Sequence, residues 1–248
     1  MANPELFKDL SSRRLTWLRF KRHKLALASG GFLIFLYFIA AFCEFFAPYE
    51  PNWRNPKAIF APPQEIHVID SKGDFHFRPF VYGYSLTINP ETWVREYTQD
   101  PEQIHPIYFF AKGQKYQFWN LFSTEHHFIT TASGQYLHLF GTDKLGRDIF
   151  SRIIYGARIS LSLGLIGVAL TLVLGVLIGG LAGYVGGRID NLIQRLIEVL
   201  QSIPTLPLWM ALSAAVPVHW SPLGVYFSII VILSFIQWTG LARVVRGR

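Results

Sequence analysis

The sequence predicts an α-helical polytopic membrane protein of four spans, with a small β-rich extracytoplasmic domain between spans 1 and 2. Three observations carry this. Of the 248 residues, 51% are hydrophobic and only 16% charged, with a mean hydropathy of +0.28. Four apolar stretches, at about 25–47, 158–183, 191–218 and 223–241, are long enough to cross a bilayer, which takes roughly 20 helical residues. Basic residues cluster at the two ends of the chain, whereas residues 48–157 carry ten Lys or Arg against eleven acids.

The N-terminal segment 1–24 holds Lys8, Arg13, Arg14, Arg19, Lys21, Arg22 and Lys24 against Glu5 and Asp9, which places it on the cytoplasmic side. The net charge of +7 is therefore a topology signal and not a nucleic-acid footprint. Span 1, residues 25–47, is too long for a cleavable signal core and carries one acid, Glu44, at its outer end. Cys43 is the only cysteine, so the outer domain holds together without an internal disulfide, and a small apolar packing role is expected for it.

Residues 48–141 change texture. Prolines 48, 51, 56, 62 and 63 open an irregular stretch. Ile66–Asp70 and Phe75–Phe77 flank Ser71-Lys72-Gly73 as a β-hairpin, and Tyr82, Tyr84, Leu86 and Ile88 alternate as a strand does. Ile107–Ala111 and Gln114–Trp119 around Lys112-Gly113 suggest a second hairpin, and Gln135–Phe140 a further strand. The result is a β-rich domain resting on the membrane. Six histidines (His67, His76, His105, His126, His127 and His138) lie here, without the spacing of a metal site, and hydrogen-bonded or surface roles are expected. No nucleophile motif or phosphate-binding glycine loop occurs, so no catalytic residue is assigned.

For residues 142–157 the pattern predicts an amphipathic helix in the membrane interface. Ile149, Phe150, Ile153, Ile154 and Ala157 form one face; Asp148, Arg152, Tyr155 and Arg158 form the other. Thr142 or Asp143 would cap it, Asp148 would pair with Arg152 at i, i+4, and Gly156 would lead into span 2. Within span 2, Gly167, Thr171, Gly175, Gly179, Gly183 and Gly187 recur every four residues, a smooth face for close helix packing. Span 3 opens with Asp190, Arg195, Glu198 and Gln201 near its cytoplasmic end, where Glu198 can pair with Arg195 or Arg188. Pro204 and Pro207 should then bend it. Either a translocation wall or a structural kink fits that helix.

The run Gly141-Thr142-Asp143-Lys144-Leu145-Gly146-Arg147-Asp148-Ile149-Phe150-Ser151-Arg152, continuing to Tyr155-Gly156-Ala157-Arg158, resembles the approach to the second transmembrane helix of ATP-binding-cassette importer permeases for dipeptides and oligopeptides, of the C type. Gly186-Gly187-Arg188-Ile189-Asp190 with Arg195 and Glu198, and Trp238 to Gly247, also resemble stretches of that family. The resemblance implies a structural or gating role for the first run, six spans in all, and a cytoplasmic loop plus two helices beyond Arg248. It also implies a bacterial inner-membrane location and half of a peptide pathway. The implied partners are a second, homologous permease subunit, two ATP-binding-cassette ATPases, an extracytoplasmic peptide-binding protein and the lipid bilayer, with no nucleic acid. No cofactor or metal is expected on this chain; ATP and Mg would sit on the ATPases. The same role for nickel or a peptide antibiotic is an alternative. A membrane-anchored extracytoplasmic sensor or enzyme is another, and would place its site among the histidines.

Overall fold

The computed structural model describes residues 12–91, 93–132, 134–217 and 219–247. Glu5, Lys8 and Asp9 of the N-terminal segment, Val218 at the end of the expected third span, and Arg248 lie outside the described residues. The chain forms two compact units, Met1–Arg158 and Ile159–Arg248.

In the first unit, helix α1 (Ser12–Arg22) is followed by α2 (Lys24–Ala41), whose first turn is capped by His23 Nδ1 accepting from the Ala26 N–H at 3.1 Å. Eighteen residues at 1.5 Å each make α2 about 27 Å long, close to the hydrocarbon thickness of a bilayer. The expected continuous span 25–47 is interrupted. Phe42 (φ −109°, ψ 31°) separates α2 from the short α3 (Cys43–Phe46). The carbonyls of Ala40 and Ala41 there accept from the Arg158 guanidinium, while the Phe45 N–H turns back to Phe42 in a tighter bond.

Four antiparallel strands follow in sheet order β1 (His67–Ile69), β2 (Phe75–Ile88), β3 (Arg95–Phe118) and β4 (Phe122–Thr131). The turn at Ser71-Lys72-Gly73 joins β1 to β2, with Gly73 at φ +91°. Lys112-Gly113 is not a turn: both residues lie inside the 24-residue β3, and the reversal comes at Trp119-Asn120-Leu121. Gly113 serves close packing instead. A Cβ there would lie 2.8 Å from His127 Cδ2 and 2.9 Å from Thr130 Oγ1. Gln135–Phe140 adds no strand either, because its backbone groups go elsewhere: Leu137 N–H donates to Tyr49 Oη (2.8 Å) and His138 N–H to Gln64 Oε1 (2.6 Å). Val81, Ile107, Ile129 and Leu137 form the buried core of the domain.

No separate helix occupies 142–157. Residues 141–148 form turns, and α4 runs unbroken from Ile149 to Val185, passing through Gly156. Asp148, expected on the polar face of an amphipathic helix, is 2% exposed at the start of α4.

In the second unit, α4 is followed by α5 (Gly187–Ser202), α6 (Thr205–Ala215) and α7 (Pro222–Arg246). The third apolar stretch is thus two helices bent by 83° and not one straight helix. The break falls at Ile203-Pro204, where proline disfavours helical backbone at the residue before it; Ile203 is extended (φ −80°, ψ 124°). Pro207 lies in the first turn of α6, where its missing N–H costs nothing. Among the described residues, three helices are long and apolar enough to cross a membrane, or four if the bent pair counts as one.

Candidate functional site

The run 141–158 closes a joint at the root of the β domain. Gly141 (φ +71°) and Gly146 (φ +71°) both need left-handed backbone, and a Cβ would meet Ala61 O at 2.4 Å and Asn55 O at 2.1 Å respectively. Glycine is therefore demanded twice over. Thr142 Oγ1 accepts from Ala61 N–H (2.9 Å) and donates to Ala58 O, stitching the run to the segment that leaves α3.

Asp143 does not cap a helix. It organises the turn, accepting from the N–H groups of Leu145 (2.8 Å) and Arg147 (3.0 Å) and from the side chains of Arg147 and Arg152. Partial burial works against its charge, but Arg147 and the turn's N–H groups outweigh it and hold the carboxyl at about 2. Arg152 reaches Asp143 at 2.7 Å, so the expected Asp148–Arg152 pair does not form. Asp148 is committed elsewhere. Its Oδ2 accepts from Ser151 N–H and Oγ–H, both at 2.7 Å, as a helix cap, and its Oδ1 lies 3.1 Å from His138 Nδ1. Ser151, fully buried, donates to the carboxylate and not to an imidazole. This buried Ser–Asp–His chain ties the start of α4 to the 135–140 segment.

Arg158 makes the second joint. Its guanidinium holds both carboxylate oxygens of Glu44 (2.6 and 2.5 Å) and the carbonyls of Ala40 and Ala41, and it lies 4.2 Å from the Trp119 ring. Tyr155 packs beside it on Cys43, Ala47 and Ile154, and Cys43 is completely buried there. A Cβ at Gly156 would meet nothing within 4 Å. Of the six histidines, His127 is buried with both ring nitrogens on backbone carbonyls, and His76 pairs with Asp70 at 3.0 Å. No group of three or more His, Cys, Asp or Glu among the described residues could hold a metal ion.

In the second unit the small-residue stripe meets α7. A Cβ at Gly175 would lie 2.8 Å from the Leu241 side chain, at Gly179 2.5 Å from Ala242 O, and at Gly183 3.3 Å from Arg246 O; Gly167 sits 3.9 Å from Ser234 Oγ by the same measure. Thr171 lies between them with its Oγ1 buried and without a hydrogen-bond partner. Gly187 departs from the stripe: it begins α5 at φ +55° with nothing within 4 Å. The polar residues of the bent pair mostly bind within the unit. Asp190 takes Arg246 at 2.5 Å, Gln201 donates to Thr239 at 3.1 Å, and Arg195 pairs with Glu198 at 2.9 Å. Pro204 forms the break itself.

Two family profiles match the chain: the N-terminal transmembrane domain of oligopeptide transport permease C over residues 11–63, and the inner-membrane component of binding-protein-dependent transport systems over residues 173–248. The dipeptide transport system permease protein of Bacillus subtilis is 47% identical over 111 residues, which is 45% of this chain and 33% of that protein. The oligopeptide permease protein of the same organism is 39% identical over 111 residues, covering 45% of this chain and 34% of the relative. A di/tripeptide permease protein of Pseudomonas aeruginosa aligns over 198 residues at 26% identity, 80% of this chain and 44% of the relative. Parts of the chain are similar to peptide transport permease proteins. Its matched part spans about a third of the Bacillus subtilis permeases.

The motif is legible in the sequence, but its partners are not. Asn55 and His138 (Nδ2···Nε2, 3.4 Å) and Trp119 carry no motif of their own. Glu44 and Arg158 did carry a signal. An acid ending one apolar helix and a base beginning the next each require a partner, and each is the other's.

Proposed function

We propose that this chain is a membrane subunit of a binding-protein-dependent importer for dipeptides or oligopeptides, contributing half of the pathway and no chemistry. The observation that carries the reading is the pair of permease profiles, 11–63 and 173–248, standing in sequence order on either side of the 141–158 joint. Relatives named as dipeptide and oligopeptide permeases support the cargo class. A second permease subunit, two ATPases that carry ATP and Mg, and an extracytoplasmic peptide-binding protein complete the machine. The basic N-terminal segment faces the cytoplasm and the β domain faces outward, in a bacterial inner membrane. The bent α5–α6 pair contributes to the pathway wall, since Asp190, Arg195, Glu198 and Gln201 bring polar groups to a helix that enters the membrane.

Affinity purification of the natural full-length protein from its own membranes tests this. Co-purification of an ATP-binding-cassette ATPase and a second, homologous permease is expected. A chain that purifies without either, from membranes shown to contain both, would overturn the reading.

A further inference from the structure

The β3–β4 hairpin descends along the end of the first membrane helix. Its contacts step backward through the chain. His127 Nδ1 meets Ala47 O at 2.7 Å, the Phe128 ring packs on Phe46 and Phe45, Phe118 lies 5.7 Å from Phe42, and Trp119 Nε1 donates to Ala41 O at 2.8 Å. The hairpin therefore runs from α3 toward α2, with its tip at the Ala41 end of that helix. Because α2 is about 27 Å long and uncharged beyond Lys24, Ala41 must sit at the edge of the hydrocarbon layer. The Trp119 indole bonded to it sits at the same depth, where tryptophan's apolar body and polar N–H both fit.

The tip matches that position. From Tyr116 to Thr124 no side chain is charged, and Lys115 and Glu125 flank the stretch. Leu121 is 79% exposed and Phe122 58%, at the point of the hairpin where a soluble domain would place polar residues. Trp119 and Asn120 both hold left-handed backbone (φ 48° and 57°), and the Leu121 N–H closes the turn on Phe118 O at 2.8 Å. A tryptophan in that conformation is strained, and such strain persists where surrounding contacts fix it. Here Arg158 and Ala41 do so.

We infer that the β3–β4 hairpin tip is a lipid anchor, with Leu121 and Phe122 immersed in the interfacial layer of the bilayer beside the end of α2. The occupant is lipid, because the tip continues the apolar surface of a membrane helix and carries no charge to be desolvated. The anchor holds the β domain at a fixed height over the membrane and pins Trp119 against the Arg158–Glu44 pair.

The test uses the full chain in vesicles of phosphatidylethanolamine and phosphatidylglycerol, with spin labels on Leu121→Cys and, separately, Phe122→Cys. Both side chains are exposed, so either variant should fold, and the buried Cys43 of the unsubstituted chain sets the background. Collision with oxygen should exceed collision with a water-soluble nickel chelate at both positions, and the ratio should invert for Lys72→Cys on the β1–β2 turn. Chelate access at 121 and 122 equal to that at 72 would overturn the anchor. So would shielding from both quenchers, which would mean that protein and not lipid covers the tip.

Discussion

Taking away the Arg158 guanidinium leaves Glu44 buried with its charge uncompensated and two backbone carbonyls without their donor. Breaking one side of a buried pair costs about 3–5 kcal/mol, whereas removing both partners costs far less. Arg158→Leu should therefore sharply lower the thermal stability of the purified chain, and adding Glu44→Gln should recover part of the loss. Arg158→Lys recovers less, since an ammonium cannot fork onto a carboxylate and two carbonyls together. Equal stability of the single and double variants would show that the pair is not coupled. Asp143 gives a pH signature. Its carboxyl is depressed from the usual 3.8 to about 2, so its ionised form stabilises the turn above about pH 4. That contribution is lost as pH falls from about 4 to 2. The melting temperature should drop across that window, and Asp143→Asn should flatten this part of the profile. An unchanged slope in the variant would remove Asp143 from the account.

At the scale of elements, the reversal at Ser71-Lys72-Gly73 was legible and the one at Trp119-Asn120-Leu121 was not. A four-residue spacing of small residues maps directly onto one helix face, so the seam on α4 could be read, but its partner α7 could not, because nothing local marks the other side. The α4–α7 contact predicts that Gly179→Ala already disturbs folding, since its Cβ would overlap the Ala242 carbonyl at 2.5 Å, with an overpacking cost of about 1–3 kcal/mol. Gly180→Ala, which meets nothing within 4 Å, should be tolerated or slightly stabilising. Folded yield by size-exclusion chromatography in detergent checks this; equal yields would dissolve the seam. The Lys112-Gly113 reading failed because glycine has two uses, turning and close approach, and only tertiary packing on His127 decides between them. The Asp148–Arg152 spacing failed for a similar reason. Asp148 is taken by Ser151 and His138, and Arg152 turns to Asp143. Proline at 204 was informative, because it disfavours helical backbone at the residue before it, Ile203, and Pro207 was not, because the first turn of α6 accommodates it.

For the molecule as a whole, composition and hydropathy were enough to give a membrane protein, and the run from Gly141 to Arg158 was enough to point to its relatives. Two glycines with left-handed backbone, an aspartate gathering a turn and an arginine joining two helices explain physically why that run has the residues it has. Each holds the base of the β domain. The proposed function is tested in transport. The most direct measurement is accumulation of labelled dipeptides and oligopeptides in cells whose gene for this protein is disrupted, compared with cells carrying it back on a plasmid. The account predicts that uptake of at least one peptide class is lost and then restored. Unchanged accumulation of every peptide in the disrupted cells, with no other peptide importer present to substitute, would contradict it.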